Sequence, residues 1–295
     1  MKKAVVKAYA KINLILDVLG KRPDGYHEVE MIMQAISLYD RITIKPGNGI
    51  SITTNHPLIP LDERNLAYQA AEVLIKEYPD IPGVEINIEK NIPMEAGLAG
   101  GSTDAAAVLI GMNAMFSLKM DNIELLERGA QLGSDVPFCI LGATALAKGR
   151  GEIIEEVAQC PKLWVVLVKP NFGVKTKEVY QNLMLSSISS HPDLAGYLDA
   201  LQVGDVPYLL NKIANVLEYS TFKLYPQVKE LKEALKALGA KSLLMSGSGP
   251  TIYALFASQE AADTFASDVR KGCTYQVWVA HTLNKEILNE RVEIS

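Results

Sequence analysis

Pro93-Met94-Glu95-Ala96-Gly97-Leu98-Ala99-Gly100-Gly101-Ser102-Thr103-Asp104-Ala105-Ala106-Ala107-Val108 is the stretch on which the reading of this chain turns. Before it, residues 84–90 (Val-Glu-Ile-Asn-Ile-Glu-Lys) alternate apolar and polar side chains with a period of two, the pattern of a half-buried strand. After it, residues 105–116 form an apolar run that reads as a helix beginning near 102. The spacing therefore predicts a glycine-rich loop between a strand and a helix. Gly97, Gly100 and Gly101 carry no Cβ to block the approach of a ligand to the backbone. Ser102, Thr103 or Asp104 would cap the helix. Free N–H groups and the helix dipole together make such a junction attractive to an anion, phosphate above all. The same residues also suit an ordinary turn and cap, so the rest of the chain has to decide between the two.

The chain has 295 residues, 48% apolar and 21% charged, values expected of a soluble globular protein with a large core and two domains. No apolar run approaches the roughly 18–20 residues needed to cross a bilayer, and Met1-Lys-Lys leads into a short strand pattern rather than a secretory leader. Cys139, Cys160 and Cys273 are odd in number and widely spaced, which favours reduced thiols in a cytoplasmic protein over a disulfide framework or a zinc site. A net charge of −5 disfavours a general nucleic-acid binder while leaving room for local basic pockets.

Residues 3–9 and 12–18 read as two strands or one long bent one, with Lys11 and Asn13 leaving the same face. Taken alone, that pair describes a solvated strand edge. Residues 20–25 are a turn, followed directly by Tyr26 and His27, an aromatic and an imidazole placed where they either line the turn or meet a heterocycle. Strands over 28–38 and 41–45 are expected to join at Tyr39-Asp40, with another over 50–54 and a helix over 65–78. A helix over 121–132 leads to Gly133-Ser134-Asp135-Val136-Pro137-Phe138, where Ser134 or Asp135 suits a helix cap with Pro137 just inside. A hairpin over 143–147 and 152–157 follows. The pattern resets at 159–161, which divides the chain into residues 1–160 and 161–295. The second part opens on a continuous apolar run at 163–169, suited to a central strand. Helices are expected over 174–183, 193–201, 206–218, 226–238 and 259–271, with strands over 242–245, 252–256 and 276–280. The first of these helices sets Thr176 and Tyr180 on one side.

Neither G-x-x-x-x-G-K-[S/T] nor a G-x-G-x-x-G following a strand is present, and the four histidines show no ligand spacing. Ser246-Gly-Ser-Gly lacks the leading glycine of a hydrolase nucleophile elbow, Met245 standing in its place. Three separated pieces agree instead. Residues 93–102 resemble the P-x-x-x-G-L-G-S-S-A phosphate loop of the GHMP kinases (galactokinase, homoserine, mevalonate and phosphomevalonate kinases). Residues 7–14 and 245–251 are similar to that family's N-terminal and C-terminal motifs, in the same order and spacing. Ala10 to Leu14, Arg22 to His27 and Gly133 to Phe138 most resemble the subfamily acting on a cytidine diphosphate-linked methylerythritol in the non-mevalonate route to isoprenoids.

The resemblance implies an α+β, two-domain GHMP kinase fold: an N-terminal ribosomal-protein-S5-domain-2-like domain and a C-terminal ferredoxin-like α/β sandwich. It implies ATP-dependent phosphorylation of the small-molecule substrate's 2-hydroxyl, with Mg²⁺ arriving on ATP and no protein ligand assigned to it. Pro93, Met94, Glu95, Ala96, Gly97, Leu98, Ala99, Gly100, Gly101, Ser102 and Thr103 would hold the ATP phosphates. Lys11 and Asp135 match the family's catalytic pair. Tyr26 and His27 match cytosine-reading positions, Asn13 and Thr176 substrate-contacting ones, and Tyr180 an aromatic that stacks on the base. Gly101 stands where many members carry a serine used on Mg²⁺. The implied protein is a monomer or weak homodimer that engages neither nucleic acid nor membrane. A kinase of another alcohol, of the homoserine or mevalonate type, and a non-catalytic nucleotide-binding module are the alternatives. Lys11 with Asp135 separates enzyme from idle module; Tyr26, His27 and Tyr180 separate a cytosine reader from the other kinases.

Overall fold

The first fifty residues form two very long strands that pair with each other along most of their length. The computed structural model describes residues 2–295. In chain order its elements begin β1 (Ala4–Lys21), β2 (His27–Pro46), β3 (Gly49–Thr54), α1 (Leu66–Glu77), β4 (Gly83–Glu89) and α2 (Gly100–Phe116). Then follow α3 (Asn122–Leu132), α4 (Val136–Leu141), β5 (Thr144–Lys148), β6 (Ile153–Glu156), β7 (Trp164–Lys169) and α5 (Thr176–Gln181). The remainder is α6 (Leu194–Val203), α7 (Val206–Asn211), β8 (Ala214–Asn215), α8 (Glu218–Leu224), α9 (Pro226–Ala237), β9 (Leu243–Met245), β10 (Ile252–Phe256), α10 (Gln259–Gly272), β11 (Gln276–His281), α11 (Lys285–Asn289) and β12 (Val292–Ile294).

The first sheet runs β12-β1-β2-β4-β3, with β5 on β2, β6 on β5 and β8 on β1. The second is the antiparallel order β11-β7-β10-β9, with the apolar β7 inside it as its sequence requires. The first sheet is therefore not built from the N-terminal half alone, since β8 and β12 come from beyond residue 200.

Helix α2 is buried on nearly every side and packs against β1, α1 and α4, as a helix apolar all round must. Gly111 allows this close approach: a Cβ there would stand 2.6 Å from the Ile44 Cδ1 and 3.0 Å from the Val6 Cγ2.

Four local expectations give way to tertiary contacts. The strands expected to break at Tyr39-Asp40 are one strand, because β2 pairs with β1 along its length while changing its other partner from β5 to β4. Asp40 sits buried in that exchange, accepting the Asn91 and Ile92 N–H groups at 2.6 and 2.8 Å. The helix expected over 206–218 is interrupted by Ala214-Asn215, which pairs in parallel with Ile15-Leu16. The Asn215 amide there donates to the Met245 and Gly247 carbonyls, each at 2.7 Å, contacts that a continuous helix would not make. Helix α5 covers only 176–181 of the expected 174–183. Beyond the last expected strand, α11 and β12 carry the chain back to the edge of β1.

Candidate active site

The glycine-rich loop does not use a side-chain cap. Helix α2 starts at Gly100, two residues earlier than expected, and its N-cap is Ala99 in the left-handed region (φ 58°) with no capping side chain. The first intrahelical bond runs from Thr103 N–H to the Ala99 carbonyl at 2.9 Å. Gly100, Gly101 and Ser102 therefore present N–H groups with no intrahelical acceptor, at the positive end of a 17-residue helix. This is an anion cradle made of backbone. Gly97 also has positive φ (72°), and the Ser246 hydroxyl donates to its carbonyl at 2.9 Å, tying the loop to the second glycine-rich turn.

A cavity of about 930 Å³ spreads from this loop. Pro93, Met94, Glu95, Ala96, Gly97, Leu98, Ala99, Gly100, Gly101 and Ser102 line it, as do Lys11, Tyr26, His27, Asp135, Thr176 and Tyr180. Residues as far apart as Lys11 and Tyr180 thus share one space. Two positions are placed otherwise. Thr103 is buried, its hydroxyl donating to the Tyr9 carbonyl at 2.7 Å and its N–H spent inside the helix, so it does not line the cavity. Asn13 is buried as well, not on a solvated edge, and accepts from the Lys11 ammonium at 2.8 Å. It positions Lys11 rather than facing the cavity.

Lys11 is only 4% exposed, and its Nζ lies 3.8 Å from the Asp135 Oδ2. Asp135 occupies the N-cap position of α4 yet makes no capping bond, so its carboxylate is free for other chemistry and a third of the side chain is exposed. Across the cavity, the His27 and Tyr180 rings meet at 5.3 Å with a 34° tilt. Burial, then the charge of Lys21, pulls the His27 imidazole below its ordinary value, leaving it neutral near pH 7. Burial, then the Asp135 charge, pushes the Tyr180 hydroxyl up, so it stays a neutral donor. Tyr26 is half exposed, with the Arg150 guanidinium 4.9 Å from its ring centre. The Thr176 and Ser248 hydroxyls are 2.8 Å apart.

Several lining residues carried no local signal in the sequence. Lys90 directly follows β4 and bridges two buried carboxylates, Asp40 and Asp104, the latter at 2.8 Å. Burial drives the Asp104 carboxyl well above its usual range, against the pull of Lys90, and its Oδ1 has no partner. Past the loop, Ile59, Pro60 and Leu66 form an apolar wall beside Asn65, whose side chain caps α1. Outside the cavity lining, Arg291, in the unexpected C-terminal tail, is partly buried and donates to the Cys139 and Ile140 carbonyls at the C-terminal end of α4. Burial pulls this guanidinium down to about 10, still charged at neutral pH, and it faces the negative end of the helix that carries Asp135. Only the fold brings these groups into place around the loop and α4.

Among the described residues, no group of three or more His, Cys, Asp and Glu side chains is arranged to hold a metal ion. At Gly101 the loop offers backbone N–H and no side-chain oxygen. This donor set suits an anionic triphosphate that brings its own cation.

Family models place this geometry among known proteins. That for the GHMP kinases N terminal domain matches residues 65–143, and that for GHMP kinases C terminal matches residues 197–274. A 4-diphosphocytidyl-2-C-methyl-D-erythritol kinase of Bacillus cytotoxicus is 51% identical over 255 residues, 86% of this chain and 88% of that protein. The kinase of the same name from Geobacillus thermodenitrificans is 47% identical over 283 residues, 95% of this chain and 97% of its own. A crystal structure of a 4-(cytidine 5'-diphospho)-2C-methyl-D-erythritol kinase matches with a TM-score of 0.80 at 34% identity, covering 94% of this chain and 98% of that one. With the backbone cradle, the Lys11–Asp135 pair and matches along nearly the whole chain, this protein belongs to the GHMP kinase family, on the branch of the 4-diphosphocytidyl-2-C-methyl-D-erythritol kinases.

Proposed function

We propose that the chain transfers the γ-phosphoryl group of ATP to the 2-hydroxyl of 4-diphosphocytidyl-2-C-methyl-D-erythritol, a step of the non-mevalonate route to isoprenoid precursors. The observation that carries this reading is the Lys11–Asp135 pair, 3.8 Å apart, sharing one cavity with the free N–H groups of α2 and with Tyr26, His27 and Tyr180. The acceptor hydroxyl oxygen attacks the γ-phosphorus as the bond to the β–γ bridging oxygen breaks, and ADP leaves with that electron pair. The hydroxyl proton passes to the Asp135 carboxylate and then to solvent. A carboxylate is too weak a base to ionise an alcohol in advance, so Asp135 orients the hydroxyl and takes the proton late, within a loose transition state. Lys11, held by Asn13, neutralises charge on the transferring oxygens. The backbone cradle binds the triphosphate. Mg²⁺, carried on the nucleotide's own phosphates, would neutralise charge on them.

The neutral His27 and the Tyr26 and Tyr180 rings read the cytosine by stacking and edge hydrogen bonds, with Thr176 beside the acceptor. The apolar wall at Ile59, Pro60 and Leu66 is the adjoining space for the nucleotide base. In this reading residues 1–160 and 161–295 are the two domains, supported by the two sheets, although β8 and β12 return to the first. The enzyme is read as cytoplasmic, a monomer or weak homodimer acting on a small molecule.

A coupled assay of ADP release tests the proposal, with the cytidyl substrate offered against homoserine, mevalonate and galactose. Turnover with the cytidyl compound alone is expected, and preference for another alcohol would refute the reading. In the same assay Tyr26→Ala is expected to raise the KM for the cytidyl substrate by about tenfold, the loss of one stacking contact, with the KM for ATP unchanged. A rise confined to ATP would move Tyr26 out of the acceptor pocket.

A further inference from the structure

A second cavity, of about 870 Å³, adjoins the first across residues 214–218. Leu217 lines the active-site cavity, whereas Val216 and Glu218 line the second. Its volume lies within the roughly 300–1,000 Å³ usual for small-molecule sites. In a chain of net charge −5 this cavity is locally basic: Lys212, Lys223, Lys229 and Lys232 face only two carboxylates, Asp193 and Glu218. Both carboxylates are already engaged. Asp193 accepts from the Gly196 N–H and the Tyr208 hydroxyl, each at 3.0 Å. Glu218 accepts from Lys232 at 2.7 Å and from the Met245 N–H at 3.0 Å. Lys223 and Lys229 are exposed and, among the described residues, form no ion pair. Beside them Phe222, Leu243 and Leu244 supply an apolar surface.

We propose that this cavity binds an organic phosphate, its anionic head on Lys223, Lys229 and Lys232 and its apolar body against Phe222, Leu243 and Leu244, and that its occupancy alters the active site. A chain of hydrogen bonds carries the coupling. An anion on Lys232 competes with Glu218, whose carboxylate holds the Met245 N–H. Asn215 grips the Met245 and Gly247 carbonyls from the same wall. The turn so held reaches the catalytic machinery: the Ser246 hydroxyl donates to the Gly97 carbonyl, Gly247 passes over the Lys11 ammonium, and Ser248 meets Thr176. A ligand that shifts this turn changes nucleotide affinity, and by linkage nucleotide changes the affinity for the ligand.

The test uses phenyl phosphate as the probe, with inorganic phosphate as the head group alone. Calorimetric titrations are run with the active site filled by a non-hydrolysable ATP analogue and Mg²⁺, on the wild type and on the Lys223→Glu/Lys229→Glu variant. The wild type is expected to bind phenyl phosphate more tightly than inorganic phosphate, and the variant to lose at least about tenfold in affinity for phenyl phosphate, as removal of charge-assisted contacts predicts. In steady-state assays the probe should shift the KM for ATP of the wild type but not of the variant, whose kinetics without probe should match the wild type. No binding once the analogue fills the active site, equal binding to both proteins, or no preference over inorganic phosphate would overturn the site. Binding without any KM shift would overturn the coupling. The calorimetric arm needs no turnover, so it stands or falls separately from the kinase reading.

Discussion

Asp135→Asn is expected to lower kcat by roughly 10²–10⁴-fold, the span of a lost general acid–base group, while the KM for ATP stays within a factor of about two. The substitution is nearly isosteric, and Asp135 makes no capping bond that its loss would disturb, so α4 should keep its place. Arg291 holds the other end of the helix through the Cys139 and Ile140 carbonyls, independently of residue 135. Only the charge 3.8 Å from the Lys11 ammonium and the capacity to accept a proton disappear. Thermal melting should therefore be close to that of the wild type, and ATP binding by calorimetry unchanged. Near-normal turnover in this variant would remove Asp135 from the mechanism.

Gly97→Ala should be the most damaging change in the phosphate loop. At φ 72° an alanine costs about 1–3 kcal/mol of backbone strain. The added Cβ would also fall 2.0 Å from the Ser246 carbonyl oxygen, which is backbone and has little room to yield. The two glycine-rich turns must then separate, breaking the Ser246–Gly97 hydrogen bond and disturbing Leu98, whose carbonyl accepts the Lys11 N–H at 3.2 Å. The KM for ATP is expected to rise by at least about tenfold, and Tm to fall by several degrees, at roughly 2–4 °C per kcal/mol for a chain of this size. Gly101→Ala is the contrast. Its Cβ meets nothing closer than Leu66 Cδ1 at 3.9 Å, and its φ is not positive, so its melting temperature should hold. Equal stability loss in the two variants would show that the loop is not braced as the structure has it.

Local pattern revealed a good deal of this molecule. The strand ending at Glu89 and the apolar helix after it come from periods of two and 3.6, and the glycines between them mark where the backbone must be bare. Asn65 before α1, and the Asp121–Glu124 capping box before α3, are helix starts that the chain announces within four residues. The cavity also gathers most of the residues that the family resemblance named, because a motif preserves the contacts of its fold even when each piece alone reads as a turn or an edge.

What local pattern misses are decisions made across long separations. Thr103 looked like a cap and phosphate contact, but the hydroxyl is drawn to the Tyr9 carbonyl, 94 positions away. Ala99 takes the cap position because Gly97 is locked against Ser246, a partner 149 residues later. Tyr39-Asp40 reads as a joint, yet a buried Asp40 is affordable where Lys90 and two N–H groups meet it.

By itself, then, the amino-acid sequence determined the strand–loop–helix unit and the order of most elements, since these rest on residue type and short-range period; Lys11 and Asp135 were singled out only by the family resemblance. Only the tertiary structure decided that Asn13 is buried as the support of Lys11, that residues 206–218 break around Asn215, that Lys90 and Arg150 line the cavity, and that Arg291 braces the far end of α4. The physical reason is the same in each case. A buried charge or amide is stable only where distant groups satisfy it, and no local pattern says which distant groups those will be.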